Sequence, residues 1–480
     1  MFETSFLLFL KHLFINIFIP FIPWLIFLWI FYGSKIKWIL LYLLSRFIWV
    51  WLVAFSLLNI QFIHFWVWIV EYLIILWILI IIFLLKIFLK KQNIKDYINT
   101  LKLKNIFPEL KASYENLSLT EKVFTLILSA FSIYFICMSG IFNFNLPTYA
   151  DDSFWNRDKP AYNIYTDWWI KLFWDENEIL WRWRLWYPIH IPAYKALISH
   201  FAWWVNDIYF NTWQRLVFLF GLIFIFSITF DNTKNIFKSI LPIWLICCLP
   251  LVFFHSFEWY MDLPSIIYCI ICVRLFYKYL EDKDFDYLSL WLLSWFIISY
   301  IKNDGFVVYL PGLLFGLFVV LCFKKELWQT IKGLFKDKNN LRKTIWYFIY
   351  FFIPFLLVKA IHWLGFNQAV WEISWIWLSS NIHREIFSQF PHIFFKMDNF
   401  NVILIVLLFI FIFLISKKRR KENKSLFLYT WIAVFLILIV VFLFTEAYTF
   451  VMNQTTINRV FTTSFILILW FSWLLLNDEE

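Results

Sequence analysis

Glycine is nearly missing from this chain, with 8 residues in 480, where an average protein has about 7%. Charge is scarce as well. Only 15% of residues are Asp, Glu, Lys or Arg, against about 25% in a soluble domain. The length alone would suit roughly three soluble domains, but long uncharged runs exclude that. The six cysteines, Cys137, Cys247, Cys248, Cys269, Cys272 and Cys322, all fall inside apolar segments. Neither a disulfide framework nor a zinc site is therefore expected. The apolar N-terminus lacks a small-residue cleavage site and more apolar runs follow it, so no removable signal peptide is expected.

What the chain has is hydrophobic bulk: 62% hydrophobic and 24% aromatic residues. At least ten of its apolar stretches are long enough to cross a hydrocarbon layer about 30 Å thick. Runs such as 62–85 and 402–415 are continuous rather than alternating, which excludes a transmembrane β-barrel. The expected fold is an all-α, polytopic transmembrane helical bundle of about 13 spans. They are placed at 5–32, 38–58, 62–85, 123–142, 213–230, 238–256, 263–280, 287–302, 305–323, 344–364, 401–416, 425–445 and 461–477. Pro20 and Pro23 predict a kinked or re-entrant first segment. Tryptophan is as abundant as glycine is rare, with 31 residues. Several stand where a loop would favour glycine, as in Trp181-Arg-Trp183-Arg-Leu-Trp186. Two readings follow: interfacial aromatic belts, or a glycine codon read as tryptophan, and the codons of the loop tryptophans decide between them.

The net charge of +10 does not point to nucleic acid, because the basic residues sit in short loops between spans. With the 86–122 connection in the cytoplasm, alternation puts 24 Lys and Arg residues in cytoplasmic loops and 10 in the outer ones. That asymmetry is the positive-inside pattern, and Lys417-Lys-Arg-Arg-Lys421 is its clearest marker. The chain divides into a three-span N-terminal extension (1–90), a cytoplasmic connection (91–122) and a transmembrane core (123–477). The core's first outer loop, 143–212, is large, is expected to be helical, and is too long to be idle. Its stretches 168–173 and 198–205 are expected to lie along the membrane surface. Segment 365–400 is a second outer loop.

Candidate chemistry converges on the outer face. Asp151 and Asp152 follow the fourth span. Glu258 and Asp262 join the sixth and seventh, Lys302 and Asp304 the eighth and ninth, and Arg459 precedes the last. Adjacent carboxylates can share the work of proton abstraction and cation binding, because a like charge nearby raises a carboxyl pKa. Asp262 also reads as a helix cap, with Pro264 in the first turn. Lys302 can snorkel to the interface or meet a phosphate, and Arg459 offers a bidentate fork for one.

These motifs together resemble the GT-C type of integral-membrane glycosyltransferases, the polyprenyl-phosphate-sugar-dependent superfamily that includes protein O-mannosyltransferase-like enzymes. The resemblance rests on five features: Tyr149-Ala-Asp151-Asp152 opening a large outer loop, Tyr187-Pro188 later in it, the turn Trp259-Tyr260-Met-Asp262-Leu-Pro264, the turn Lys302-Asn-Asp304-Gly305, and a late arginine, Arg459. It covers about three quarters of the chain. Asp304 stands where the family has glutamate, and Trp259 where it has glycine.

The resemblance implies sugar transfer from a polyprenyl-phosphate carrier to an extracytoplasmic glycan, lipid or protein acceptor, with inversion at the anomeric carbon. Asp151 would be the general base, with Asp152 beside it as a second catalytic carboxylate. Tyr187, Glu258, Tyr260, Asp262 and Asp304 would bind substrate, and Lys302 and Arg459 would stabilise the departing phosphate. Asp152 and Asp262 are the candidate ligands for a divalent metal ion, and no other cofactor is expected. The expected location is the cell membrane, with the active face extracytoplasmic. A polysaccharide polymerase or ligase is a neighbouring reading, and a lipid-linked glycan flippase a more distant one, for which Lys11, Arg46 and Glu71 are the intramembrane charges.

Overall fold

A computed structural model of the chain describes residues 2–32, 68–99, 106–145, 158–167, 190–202, 212–257, 262–301, 381–395 and 425–452, apart from a few single positions, with scattered residues between 311 and 349. The described residues are helical almost throughout, with no β-strand. Four helices are long and apolar enough to cross a membrane, over Tyr72–Leu89, Leu119–Phe142, Arg215–Thr233 and Leu263–Asp282. An apolar helix satisfies its own backbone groups, and a bilayer requires this of anything that spans it. The molecule is a helical membrane protein.

Six described helices make the centre: α5 (Leu119–Asn145), α8 (Thr212–Thr233), the broken pair α9 (Ile236–Cys247) and α10 (Pro250–Phe257), α11 (Asp262–Asp282) and α12 (Phe285–Ile301). Local sequence signals set their ends. Ser118 and Glu121 form a capping box before α5: Glu121 accepts from the Ser118 backbone N–H at 2.9 Å, and Ser118 Oγ accepts from the Glu121 N–H at 3.3 Å. Asn235 caps α9 by accepting from the Lys238 N–H at 3.1 Å. The expected span 238–256 breaks after Cys247, one turn ahead of where Pro250, which has no N–H to give, starts the next helix.

The connections fix chain direction. Arg215, near the start of α8, touches Ile136 and Gly140, near the end of α5, so the 146–211 connection leaves and returns at one end of the bundle, here termed the loop end. Ser139 of α5 and Ser256 of α10 share a hydrogen bond of 2.5 Å at that same end. Residues 258–261 are too few to recross the bundle, so α11 also starts there. After the tight turn at 283–284, α12 runs back to it. The opposite end is closed by α4 (Ile106–Glu115): Ser113 Oγ accepts from the Ile236 N–H at 2.9 Å and donates to the Lys234 carbonyl at 3.0 Å.

The N-terminal helices flank this centre. α1 (Phe2–Tyr32) and α2 (Trp68–Lys90) run parallel, since Ile19 meets Tyr72 while Trp29 meets Phe83 and Lys86. α1 therefore ends, and α2 begins, at opposite ends of the pair. The expected re-entrant first segment is corrected: α1 stays one helix across both prolines. Pro23 has no N–H for the Ile19 carbonyl, and the Tyr72 hydroxyl donates to that carbonyl instead, at 2.7 Å. Lys86 Nζ closes the far end of α1 by donating to the Trp29 and Ile30 carbonyls at 2.9 and 2.7 Å. α3 (Ile94–Asn99) presents Tyr97 edge-on to Trp29 and Phe83. The expected spans at 38–58, 344–364, 401–416 and 461–477 lie outside the described residues, and 305–323 nearly so.

Candidate functional site

Of the sequence-derived site residues, Asp151, Asp152, Tyr187, Glu258, Tyr260, Lys302, Asp304 and Arg459 lie outside the described residues. Asp262 is the first residue of α11, with Pro264 two positions in, where a missing N–H costs nothing. The helices that lead to the others are described. α5 ends at Asn145, six residues before Asp151, while α10 ends at Phe257 and α12 at Ile301, each one residue short of a candidate. All three helix ends are at the loop end. Among the described residues no group of three or more His, Cys, Asp or Glu side chains could hold a metal ion.

The large loop itself contributes two described helices, α6 (Lys159–Asp167) and α7 (His190–Ala202), packed on each other. The expected surface helix over 198–205 is corrected: α7 is not laid on a membrane face but is seated in the protein, with Ala196, Leu197, Ile198 and Ala202 all buried. The stretch 168–173 lies outside the described residues. Between the two helices Lys195 pairs with Asp158, both side chains 1% exposed. Burying two charges is costly unless each finds its counter-charge. The second carboxylate oxygen of Asp158 is buried with no hydrogen-bond partner among the described residues. One turn on, His200 stacks on Tyr165 with centroids 4.6 Å apart. Burial pushes its imidazole down to about 4, so the ring is neutral at physiological pH.

The N-terminal extension, which has no evident role in the sequence, holds α7. Lys11 Nζ donates to the Ala202 carbonyl at 2.7 Å, meeting an orphan acceptor at the negative end of the α7 dipole. Tyr72 packs edge-on against Phe201 at 5.2 Å. Lys11 is thereby a helix cap. Arg46 and the side chain of Glu71 lie outside the described residues.

A second polar group sits in the 365–400 loop, ahead of α13 (Ile386–Phe395), against α14 (Ser425–Phe444) and α15 (Tyr448–Met452). His383 Nδ1 lies 2.9 Å from Glu385 Oε1, and its ring stacks on Tyr448 at 3.6 Å and 5°. The His383 N–H donates to the Leu443 carbonyl at 3.0 Å. Hydrogen bonds from its own backbone and from His383 hold the Glu385 carboxyl below its ordinary range. A carboxylate on Nδ1 selects the tautomer whose Nε2 lone pair is free to accept. That Nε2 is buried without a hydrogen-bond partner among the described residues. Sequence reasoning missed this pair, since His383-Arg-Glu385 carries no motif and the partners Leu443 and Tyr448 are about 60 residues away.

The chain matches no family model, no curated protein and no solved structure.

Proposed function

We propose that the protein is a membrane glycosyltransferase that moves a sugar from a polyprenyl-phosphate carrier to an acceptor on the extracytoplasmic side of a cell membrane. The reading is supported chiefly by chain direction. Helices leading to Asp151, Glu258 and Lys302, and the helix starting at Asp262, share one end of the bundle. Residues up to 151 positions apart would then have a common place to act.

In this reading Asp151 accepts the proton of an acceptor hydroxyl as its oxygen attacks the anomeric carbon. The carbon–oxygen bond to the phosphate breaks in the same displacement, and the configuration inverts. The carrier phosphate leaves with the bonding pair, steadied by Lys302 and Arg459. Asp152 and Asp262 orient the acceptor or share a divalent ion, with Tyr187, Glu258, Tyr260 and Asp304 lining the sugar path. The test is transfer from a labelled polyprenyl-phosphate sugar by the purified full chain. Asp151→Asn should lower kcat by ~100-fold or more with little change in KM, the size expected for a lost general base. Equal turnover removes the base assignment, and retained anomeric configuration removes the single displacement.

A further inference from the structure

We propose that Arg215 is a phosphate-binding residue that takes the headgroup of a phosphate-bearing lipid at the loop end of the bundle. Arg215 lies in the first turn of α8, where a guanidinium inside a membrane bundle is expensive unless something answers its charge. Nη2 donates to the Ile136 carbonyl at 2.8 Å. A carbonyl supplies a dipole and no countercharge. Nη1 is buried with no hydrogen-bond partner, and no carboxylate lies within ion-pair distance of the side chain, both among the described residues. A cation with one arm anchored on a carbonyl and the other without a partner among the described residues is suited to an anion.

The seat is built to hold it. The guanidinium rests directly on Gly140, and a β-carbon there would overlap Nη1, Nη2 and Cζ. With only 8 glycines in the chain, one is spent on admitting this side chain against the α5 backbone. The adjoining flank of α5 is open, with Ile133 and Ile141 61% and 53% exposed. A lipid can therefore approach sideways, its chains along α5 and its phosphate on the arginine fork. Phosphate is the chemistry that a planar guanidinium matches best.

The ligand class does not depend on sugar transfer. Only the choice of a polyprenyl phosphate as the occupant rests on the glycosyltransferase reading. Binding is measured on the full-length protein in a phosphate-free detergent, with three probes: a polyprenyl phosphate, the matching polyprenol, and phosphatidylglycerol. Wild type should bind a phosphate lipid more tightly than the polyprenol, and Arg215→Gln should weaken that binding ~10-fold, the loss expected for a charged bidentate contact. A loss for the polyprenyl phosphate alone identifies a carrier site. A loss for both phosphate lipids identifies a general headgroup site. Gly140→Ala, which leaves the arginine in the chain but denies it the seat, should weaken binding similarly and serves if Arg215→Gln misfolds by circular dichroism. Wild type showing no preference for phosphate, or folded variants binding as wild type does, overturns the proposal. Failure of sugar transfer alone does not touch it.

Discussion

At the scale of single residues, most of the polar side chains inside the described helices are there to answer backbone groups. Tyr72 answers the carbonyl that Pro23 strands, which makes the two residues a testable pair. Tyr72→Phe should destabilise the protein by about 1–2 kcal/mol, since a buried acceptor is left unmet. In a Pro23→Ala background the restored N–H serves Ile19 itself, so the same change should cost clearly less. Denaturation midpoints of the four proteins in detergent check this, and equal costs in both backgrounds would refute it. Lys234 makes the complementary case. It closes α8 with φ of 48°, its N–H donating to the Phe230 carbonyl at 2.8 Å. Lys234→Gly should stabilise the turn by about 1 kcal/mol, because glycine occupies the left-handed region without a Cβ clash. The weak exposed contact with Glu109 at 3.6 Å offsets little of that. Tryptophan in place of glycine at loop positions is settled at this scale too, by the peptide masses of the purified protein across 181–186 and 259.

At the scale of elements, α7 is where the loop is pinned. Its His200 ring is buried and neutral, with a folded pKa near 4 against an ordinary value of about 6.5. The unfolded ring binds the proton more tightly, so stability rises with pH across that window. The contribution is full above about 6.5 and is lost as pH falls toward 4. Hydrogen-exchange protection factors over 190–202, which divide out the intrinsic slowing of exchange in acid, should therefore fall on acidification through this range, and His200→Phe should blunt the effect. An acid response unchanged in that variant would place the sensitivity elsewhere. These elements differ in how legible they were. The four described spans read easily from hydropathy, because a bilayer demands about 20 apolar residues whatever packs beside them. Pro20 and Pro23 misled, because a single-sequence reading has no means of seeing a hydroxyl 49 residues on from Pro23 filling the gap. The burial of α7 was out of view for the same reason: nothing in the sequence brings Asp158 and Tyr165 against Lys195 and His200.

At the scale of the molecule, the common end shared by α5, α8, α10, α11 and α12 is the feature on which the site reading depends. Labelling of single cysteines placed at Asn145, Phe257 and Ile301 in sealed vesicles should report one compartment, and a cysteine at Ser113 the other. A mixed pattern for the first three would leave the candidate residues with no shared centre. The charge count of the loops predicts which end faces the cytoplasm, and the labelling pattern is its test. The packing was not legible in the sequence, since the contacts that set it, Arg215 on Gly140 and Lys11 on Ala202, join residues 75 and 191 positions apart. That last separation has a bearing on biogenesis. Lys11 is synthesised 191 residues before the carbonyl it caps, so α1 and α2 enter the membrane long before their client helix exists. They must wait as a parallel pair, already joined through Tyr72 and Lys86, until the ribosome has delivered α7. A chain begun after residue 90 would therefore lack the Lys11 and Tyr72 contacts that hold α7.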